Sequence, residues 1–197
     1  YAISVQFARA ELTATDNYLV AHNHFGDKAV STKASGAVVN NNTPLANIEI
    51  EAANIWMGTS NNTVVVTIVN GTGNVTIKVN DEEYTVDLVD GVATQEFTNG
   101  FPVGENTIYV TYNGGSFSPA EANGTFQVLD GVITNETYKY YFVDGTLVDA
   151  VPAGATLDFQ GLFLGAYTVK LNKPVNVVST TGDALFDSNN NKGNNIY

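Results

Sequence analysis

Short runs in which every second residue is apolar dominate this chain, and they constrain its fold more than any other feature. Val75, Ile77 and Val79 alternate with polar neighbours, which is the spacing of a strand with one buried face. The same spacing recurs in Val64, Val66 and Ile68, in Tyr84, Val86 and Leu88, and in Ile108, Val110 and Tyr112. Apolar residues at helical spacing are nearly absent. The sequence therefore predicts an all-β protein.

Turn dipeptides separate these runs at regular intervals between Asn61 and Val128. Asp90-Gly91 and Asn113-Gly114 are typical of hairpin turns, because Asn, Asp and Gly tolerate the positive φ that tight reversals need. About seven short strands at spacings near ten residues are typical of an immunoglobulin-like sandwich. The chain has no cysteine, so such a sandwich would lack a disulfide. We predict this domain over residues 49–129.

The two flanking segments follow a different pattern, in which short strands are separated by Asn or Gly corners. Leu157–Phe163 and Pro174–Val178 are examples. Such a pattern is typical of a parallel β-helix, whose coils turn at residues that tolerate the left-handed region and stack like on like. We predict the closing rungs of a parallel β-helix over residues 1–48, and a cap followed by opening rungs over 130–197. Tyr138–Phe142 is predicted to be a strand of the latter.

The charge of the chain excludes nucleic acid as a partner. Eight basic and 20 acidic residues give a formal net charge of −12, and Arg9 is the only arginine. A phosphate backbone is bound by a field of Lys and Arg side chains, which this chain lacks. No stretch reaches the ~18 apolar residues that a membrane-spanning helix needs. We therefore expect neither nucleic-acid binding nor membrane insertion.

Asn-x-Ser/Thr tripeptides are unusually frequent in this chain. They accept oligosaccharides only on chains exported across a membrane, and glycans need solvent-facing turns and strand faces. The alternative is a polar β-protein with Asn-rich turns. Asn74 is expected to face outward, because it alternates with the apolar Val75, Ile77 and Val79. We predict an extracellular, cell-surface location. The predicted glycosylation sites are Asn41, Asn61, Asn70, Asn74, Asn123 and Asn135.

Two short polar motifs are candidate metal sites. His22 and His24 would lie on one face of a strand, and Asp16 or Asp27 would supply an oxygen ligand. The alternative is a pair of polar loop histidines beside a glycine turn, and we favour it because the full ligand set of a closed site cannot be assigned. The run Asp81-Glu82-Glu83 is typical of a solvated hairpin tip. We predict no metal site.

Catalysis is a second hypothesis, because parallel β-helices include polysaccharide lyases and hydrolases. Such enzymes need carboxylates that converge on the sugar, or that bind calcium beside a basic residue. Asp158, Asp183 and Asp187 are the candidates in the C-terminal rungs, and Arg9 is the only arginine. These residues are scattered, and no Gly-x-Ser-x-Gly elbow or cysteine nucleophile accompanies them. We expect no enzymatic activity and no cofactor, with a fragment of a carbohydrate-active β-helix enzyme as the alternative.

Five segments carry a resemblance to a known family. Asn74–Asn80, Asp90–Ala93 and Ile108–Gly114 resemble the sandwich repeat of the adhesin-like cell-surface proteins of methanogenic archaea. Gly154–Gly161 and Lys173–Ala184 are similar to the segment that caps and opens the β-helix of that family. The resemblance implies β-helix rungs interrupted by small immunoglobulin-like domains. It concerns scaffold motifs, so it indicates architecture and leaves the ligand open.

The predicted rungs at the two ends of the chain indicate assembly. Opening rungs at the C-terminus and closing rungs at the N-terminus each need a neighbour, because the end of a solenoid is an unpaired sheet edge. That neighbour is expected to be another copy of this chain or an adjacent module of a longer polypeptide. The function predicted is a non-enzymatic stalk, filament subunit or adhesin, whose further partners would be glycans or proteins on other cells. The residues of the predicted assembly edges are Ile3, Val5, Leu12, Val175, Val177 and Leu185.

Overall fold

The computed structural model describes residues 3–5, 13–15, 20–21, 24–25, 30–32, 37–40, 44–187 and 195–196. Within these residues the chain is mostly strand, with one helix of four residues, α1 (Tyr138–Tyr141). The prediction of an all-β protein is confirmed. The strands are β1 (Ile3–Val5), β2 (Thr13–Thr15), β3 (Val20–Ala21), β4 (His24–Phe25), β5 (Val30–Thr32), β6 (Val38–Asn40), β7 (Glu49–Ala52), β8 (Ile55–Trp56), β9 (Asn62–Thr67), β10 (Asn74–Val79), β11 (Glu82–Asp87), β12 (Val92–Phe97), β13 (Gly104–Tyr112), β14 (Ala120–Leu129), β15 (Val132–Ile133), β16 (Phe142–Val143), β17 (Thr146–Leu147), β18 (Thr156–Phe159), β19 (Leu162–Leu164), β20 (Thr168–Val169), β21 (Asn176–Val178), β22 (Leu185–Asp187) and β23 (Asn195–Ile196).

The chain forms two compact units that interleave along the sequence. Strands β13 and β14 each contribute residues to both units. Because the units are discontinuous, each is described separately below. Unit 1 consists of Tyr1–Glu51, Thr63–Glu96 and Ile108–Gly124, and unit 2 of Ala52–Asn62, Phe97–Thr107 and Thr125–Tyr197.

Antiparallel pairing holds the body of unit 1 together. Strand β10 pairs with β11 on one side and with β13 on the other, so that Ile77 lies opposite both Tyr84 and Val110. A second sheet has the order β12-β9-β7. The predicted alternation is confirmed in these strands, since one face is fully buried and the residues between are half-buried or exposed. The fully buried side chains are Val64 and Val66 of β9, Ile68 just after it, and Val75, Ile77, Val79, Ile108, Val110 and Tyr112 of the first sheet.

Strand β11 departs from the predicted alternation. Tyr84 was expected to face inward with Val86 and Leu88, but 39 % of its surface is exposed. Its hydroxyl donates to a carboxylate oxygen of Glu82 at 2.9 Å. Within unit 1, strand β11 is paired only with β10. A strand at a sheet edge covers less of its own inner face, so the large ring extends into solvent.

A tight turn at Asp90-Gly91 confirms the predicted hairpin. Both residues have positive φ, 51° for Asp90 and 80° for Gly91. The backbone groups of Val89 and Val92 on either side exchange two hydrogen bonds, at 2.9 and 3.0 Å. A Cβ atom on Gly91 would lie 2.5 Å from the carbonyl oxygen of Ile68, so the turn has no room for a side chain there.

The N-terminal strands of unit 1 pair in parallel. Ile3 lies opposite Val30 in the β1·β5 pair, and Thr13 lies opposite Val38 in the β2·β6 pair. The partners are separated by roughly 25 residues of chain, which is the length of one coil in solenoid proteins. Strands β3 and β4 form an antiparallel pair.

Unit 2 also contains parallel pairs at this spacing. Strand β18 lies between β15 and β21, and its Leu157 is opposite Val177. Strands β19 and β22 pair in parallel, as do β20 and β23, and a further parallel bridge joins Thr146 to Lys170. In the β19·β22 pair, like residues stack: Leu162 on Leu185 and Phe163 on Phe186. A parallel pair, β8·β14, also lies in this unit.

Aromatic rings fill the core of unit 2. Phe163 is fully buried, and its ring stacks on that of Phe186 with centroids 4.5 Å apart and an interplanar angle of 13°. Phe159 contacts both rings at 5.8 Å. Tyr167 meets Phe163 edge to face at 5.6 Å. These contacts join residues of successive parallel strands into one apolar cluster.

Helix α1 replaces the strand that was predicted over Tyr138–Phe142. The prediction was wrong because it read the aromatic run as a strand, whereas a turn initiates a helix there. The N–H of Tyr138 donates to the carbonyl of Thr134 at 2.9 Å. On a helix, residues four apart share a face, and the rings of Tyr138 and Phe142 stack accordingly with centroids 4.8 Å apart.

Candidate glycosylation and assembly sites

The predicted glycosylation sites differ in their exposure. Asn41 lies outside the described residues. Of the others, Asn74 alone is half-buried, and the remaining acceptors are exposed. These exposed acceptors are Asn61, Asn70, Asn123 and Asn135.

Asn74 begins strand β10 and is held by a cross-strand contact. The Nδ2 of Asn113 donates to its Oδ1 at 2.8 Å and to the Oγ1 of Thr76 at 3.0 Å. The Thr76 hydroxyl also lies 3.1 Å from that of Thr85. The side chains of Asn74 and Thr76 are therefore both engaged within unit 1. Asn74 lies on the face opposite to Val75, Ile77 and Val79 and is half-buried.

Asn135 links the turn before helix α1 to a later coil of unit 2. Its Oδ1 accepts the N–H of Leu164 at 3.1 Å and the hydroxyl of Tyr167 at 2.5 Å. The hydroxyl of Thr137, the third residue of the tripeptide, accepts the N–H of Thr134 at 2.8 Å and donates to the carbonyl of Val132 at 3.2 Å. The two bonds to Asn135 use its Oδ1, whereas a glycan is attached at Nδ2.

Most residues of the predicted assembly edges lie in or beside strands that pair in parallel. Ile3 and Val5 lie in β1, and Leu12 lies outside the described residues. Val175 immediately precedes β21 and is half-buried. Val177 of β21 is 53 % exposed, and Leu185 of β22 is 60 % exposed. Val177 is therefore much more exposed than Leu157, the buried residue that it pairs with in β18.

A cavity of about 390 Å³ opens at this end of unit 2. Its lining is predominantly apolar and includes Phe159, Val169, Val177 and Phe186, with Asp183 on its rim. Phe159 and Val169 belong to the buried core, whereas Val177 is exposed. The cavity therefore borders the aromatic core of unit 2 on one side and exposed residues on the other.

The candidate carboxylates Asp158, Asp183 and Asp187 have different surroundings. Asp158 accepts bonds from Gln160 Nε2 at 2.6 Å and from the N–H and the hydroxyl of Thr180 at 2.9 and 2.5 Å. These donors lower the pKa of Asp158 below its ordinary 3.8, the Thr180 hydroxyl having the largest effect. Asp183 and Asp187 are exposed. Among residues 44–187 and the shorter described segments, no three His, Asp or Glu side chains are close enough to hold a metal.

The structure gives little information on the two candidate metal motifs. His22, Asp16 and Asp27 lie outside the described residues, as does Arg9, and His24 is described only as part of the backbone of β4. In the run Asp81-Glu82-Glu83, only Asp81 lies in the turn, because Glu82 already begins strand β11.

Comparison with known proteins gives no identification. The chain matches no family model, no curated protein and no solved structure. None of the residues that the structure describes forms a helix long and apolar enough to cross a bilayer. The geometry of the edges and of the acceptor asparagines is therefore the basis for a functional proposal.

Sequence reasoning missed a buried polar contact that fixes the start of unit 2's parallel stack. The hydroxyl of Tyr141 accepts the N–H of Gly131 at 2.9 Å and donates to Asp130 Oδ1 at 3.2 Å. Burial raises the pKa of Tyr141 well above its ordinary value; the Asp130 carboxylate adds to this increase, whereas the bond from the Gly131 N–H opposes it. The sequence signal was the aromatic run following Asp130-Gly131, but a run of rings does not show which hydroxyl turns inward.

Proposed function

We propose that this chain is a non-enzymatic, extracellular surface protein that serves as a stalk, filament subunit or adhesin. In this proposal an immunoglobulin-like sandwich interrupts segments of parallel β-helix, as in the archaeal adhesin-like family that the sequence resembles. The observation that carries the proposal is parallel strand pairing between residues about 20 to 27 positions apart, both before and after the antiparallel strands in the sequence. Ile3 pairs with Val30 before them, and Leu157 pairs with Val177 after them. Stacked coils of this kind form scaffolds in which each coil contacts its neighbours.

The environment of Asp158 does not suit a general acid and fits a structural role. A glycosidase pairs an ionised carboxylate with a general acid whose pKa is raised, so that the acid holds a proton at working pH. The pKa of Asp158 is lowered by its bonds to Thr180 and Gln160. Its carboxylate is used to tie one coil to the next, since Thr180 lies beyond strand β21 and Asp158 lies in strand β18.

The surface chemistry supports an exported protein. Asn61, Asn70 and Asn123 are exposed glycan acceptors. The chain has no cysteine and a formal charge of −12, so its stability depends on hydrogen-bonded strand pairs and on packed apolar side chains, while the charge keeps it soluble. Partners would be copies of this chain or adjacent modules of a longer polypeptide, and glycans or proteins on other cells.

Surface shaving of the source cells tests the proposal. Brief protease treatment of intact cells should release peptides of this chain, and tryptic mapping of the native protein should find hexose-containing mass increments on Asn61, Asn70 or Asn123. A cytosolic marker protein is the control for lysis. Recovery of the chain only from the lysed-cell fraction, with every acceptor unmodified, would contradict the proposal.

A further inference from the structure

We propose that Asn70 carries a glycan whose first sugar is held in a recess of unit 1, where it joins two neighbouring turns. The inference rests on the proposed function, because only an exported chain is glycosylated. It goes further by assigning the modified site and the role of the sugar. The first turn is the acceptor loop, residues 68–73 between β9 and β10, and the second is the hairpin turn Asp90-Gly91.

The tripeptide Asn70-Gly71-Thr72 differs from the other described acceptors in its surroundings. It lies in a loop, and both Asn70 and Thr72 are exposed. Within the described part of the chain, neither the side-chain amide of Asn70 nor the hydroxyl of Thr72 makes a hydrogen bond. Acceptor asparagines are typical of surface loops. The other described acceptors are held by side-chain hydrogen bonds or lie in or beside a strand, and they are Asn61, Asn74, Asn123 and Asn135.

The backbone of the acceptor loop is fixed by side chains from a later part of the chain. The Ser116 hydroxyl donates to the carbonyl of Asn70 at 2.9 Å and accepts the N–H of Thr72 at 3.1 Å. The hydroxyl of the buried Tyr112 donates to the carbonyl of Thr72 at 2.7 Å. Asn70 has a φ of 60°, which asparagine tolerates better than most residues. The loop is therefore held through its backbone, and the side chains of Asn70 and Thr72 stay available.

Two backbone hydrogen bonds connect the acceptor loop to the hairpin turn. The N–H of Ile68 donates to the carbonyl of Gly91, and the N–H of Leu88 donates to the carbonyl of Gly73, both at 2.8 Å. A Cβ atom on Gly91 would lie 3.4 Å from the backbone nitrogen of Asn70, so the loop and the turn are in close contact. A group bound between them would therefore stabilise both hydrogen bonds.

A recess of about 410 Å³ lies between the acceptor loop and the hairpin turn. This volume is within the range of about 300–1,000 Å³ that is usual for small-ligand sites. A sugar ring has C–H groups on its faces and hydroxyls at its rim, so the half-buried Leu88 and the exposed carboxylate of Asp90 suit it. The sugar would be tethered to Asn70, so its binding would cost less freedom than that of a free ligand. The residues that line the recess are Asn70, Gly71, Thr72, Leu88, Asp90 and Gly91.

Site-selective chemical glycosylation tests this role, since the chain has no natural cysteine. Full-length Asn70→Cys is alkylated with N-iodoacetylglucosamine in one sample and with iodoacetamide in the other, so that the two samples differ only in the sugar. The sugar should raise Tm by about 3 °C. It should also slow amide hydrogen exchange at Ile68 and Leu88 about fivefold, because their N–H groups connect the two turns.

Asn123→Cys, treated with the same two reagents, is the matched control, because Asn123 is an exposed acceptor of unit 1 outside the recess. Its two samples should have the same Tm and the same exchange rates at Ile68 and Leu88. Equal values for the two Asn70→Cys samples, or an equal gain for Asn123→Cys, would overturn the inference.

A second substitution tests the placement of the sugar in the recess. Asp90→Asn removes the carboxylate and keeps a residue that tolerates positive φ, so in the Asn70→Cys background it should reduce the sugar's effect on exchange. Asp87→Asn changes an exposed carboxylate of β11 outside the recess and should leave that effect unchanged. An undiminished effect with Asp90→Asn would overturn the placement.

Secretion of the full chain from a yeast host tests the natural linkage. Thr72→Val removes the acceptor motif without changing Asn70 and should lower Tm by about 3 °C, whereas Thr72→Ser keeps the motif and should melt as wild type does. A Thr72→Val variant as stable as glycosylated wild type would overturn the inference. So would a native protein with a bare Asn70 and a glycan on Asn61 or Asn123, which would leave the proposed function intact. Surface shaving decides the proposed function separately.

Discussion

The antiparallel body of unit 1 and the parallel strands of unit 2 bury their apolar side chains in different ways. In unit 1, strand β10 is covered on both sides by strands of the same body, and Ile77 between them is fully buried. In unit 2, burial falls along the stack, from Leu157, which is fully buried, to its partner Val177, which is 53 % exposed. An antiparallel body closes its own core, whereas a parallel stack buries each layer only when another follows.

The two units therefore gain their stability in different ways. Hairpin-linked strands such as β10 and β11 find each other across a short turn at low entropic cost, while parallel partners lie a whole coil apart and add stability layer by layer. The predictions below follow this contrast from the largest effect to the smallest.

The largest effect is expected from a charge in the centre of the antiparallel body. Ile77→Asp buries a carboxylate between β11 and β13 with no partner, which costs on the order of 3–5 kcal/mol and approaches the stability of a small domain. Amide hydrogen exchange should show loss of protection in β10 and β11. Lys78→Asp, at the next and exposed position, is the matched control. Retained protection in the Ile77 variant would mean that unit 1 is not closed by this layer.

A second pair of variants compares two glycine corners of the parallel stack. Gly131 and Gly161 both have positive φ, 91° and 81°, so alanine at either position costs about 1–2 kcal/mol from backbone strain. A Cβ on Gly131 would also lie 2.3 Å from the carbonyl oxygen of Thr156, whereas one on Gly161 meets open space. Gly131→Ala should therefore lower the free energy of unfolding clearly more than Gly161→Ala.

Denaturant unfolding followed by the fluorescence of Trp56 measures this difference. Trp56 is the only tryptophan of the chain and packs against the core of unit 2, so its emission reports on that unit. Equal losses for the two alanine variants would show that strand β18 shifts freely against Gly131, which would weaken the description of a register-fixed stack.

A smaller effect is expected from the buried tyrosine at the start of the stack. Tyr141→Phe removes the acceptor of the Gly131 N–H and leaves that donor unsatisfied in a buried position, which costs about 1–3 kcal/mol. Tyr140→Phe, at the adjacent half-buried position, should change stability by less than about 0.5 kcal/mol. The same Trp56 fluorescence measurement applies. A phenylalanine variant as stable as wild type would show that water replaces the lost hydroxyl.

The smallest effect is a pH dependence of the tie between coils. Because the pKa of Asp158 in the folded chain is below its ordinary 3.8, its contribution to stability is present above about pH 4 and is lost as the pH falls through the folded pKa. Thermal unfolding of Asp158→Asn should show a lower Tm than wild type at pH 7, and the difference should narrow below pH 4. Asp183→Asn, an exposed carboxylate in the next coil, is the control. A difference that widens on acidification would contradict this assignment.

The sequence predicted most of what depends on neighbouring residues. The all-β class, the inward positions of Val75, Ile77 and Val79, and the Asp90-Gly91 turn all follow from period-two burial and from tolerance of positive φ. The six acceptor asparagines were also evident from the sequence, although their modification stays a prediction. The predicted boundaries at residues 48 and 129 likewise remain predictions, as do the family resemblance and the surface location.

Several features could be decided only by tertiary structure. An aromatic run favours a strand locally, so the start of α1 at Tyr138 depends on the preceding turn and on the ring of Phe142. Whether Asn74 faces out depends on Asn113, which lies far along the chain. Exposure of Tyr84 depends on which strand lies at the sheet edge.

The sequence by itself determined the alternating strands and their turns, because strand alternation and backbone φ are set by residues within a few positions of one another. Tertiary structure decided which strands pair, with Phe163 on Phe186 and Leu157 under Val177. Parallel partners are joined by a whole coil of chain, and their register depends on the packing of every layer between them. For the same reason the exposure of Val177 beside the buried Leu157 could not be predicted from the sequence.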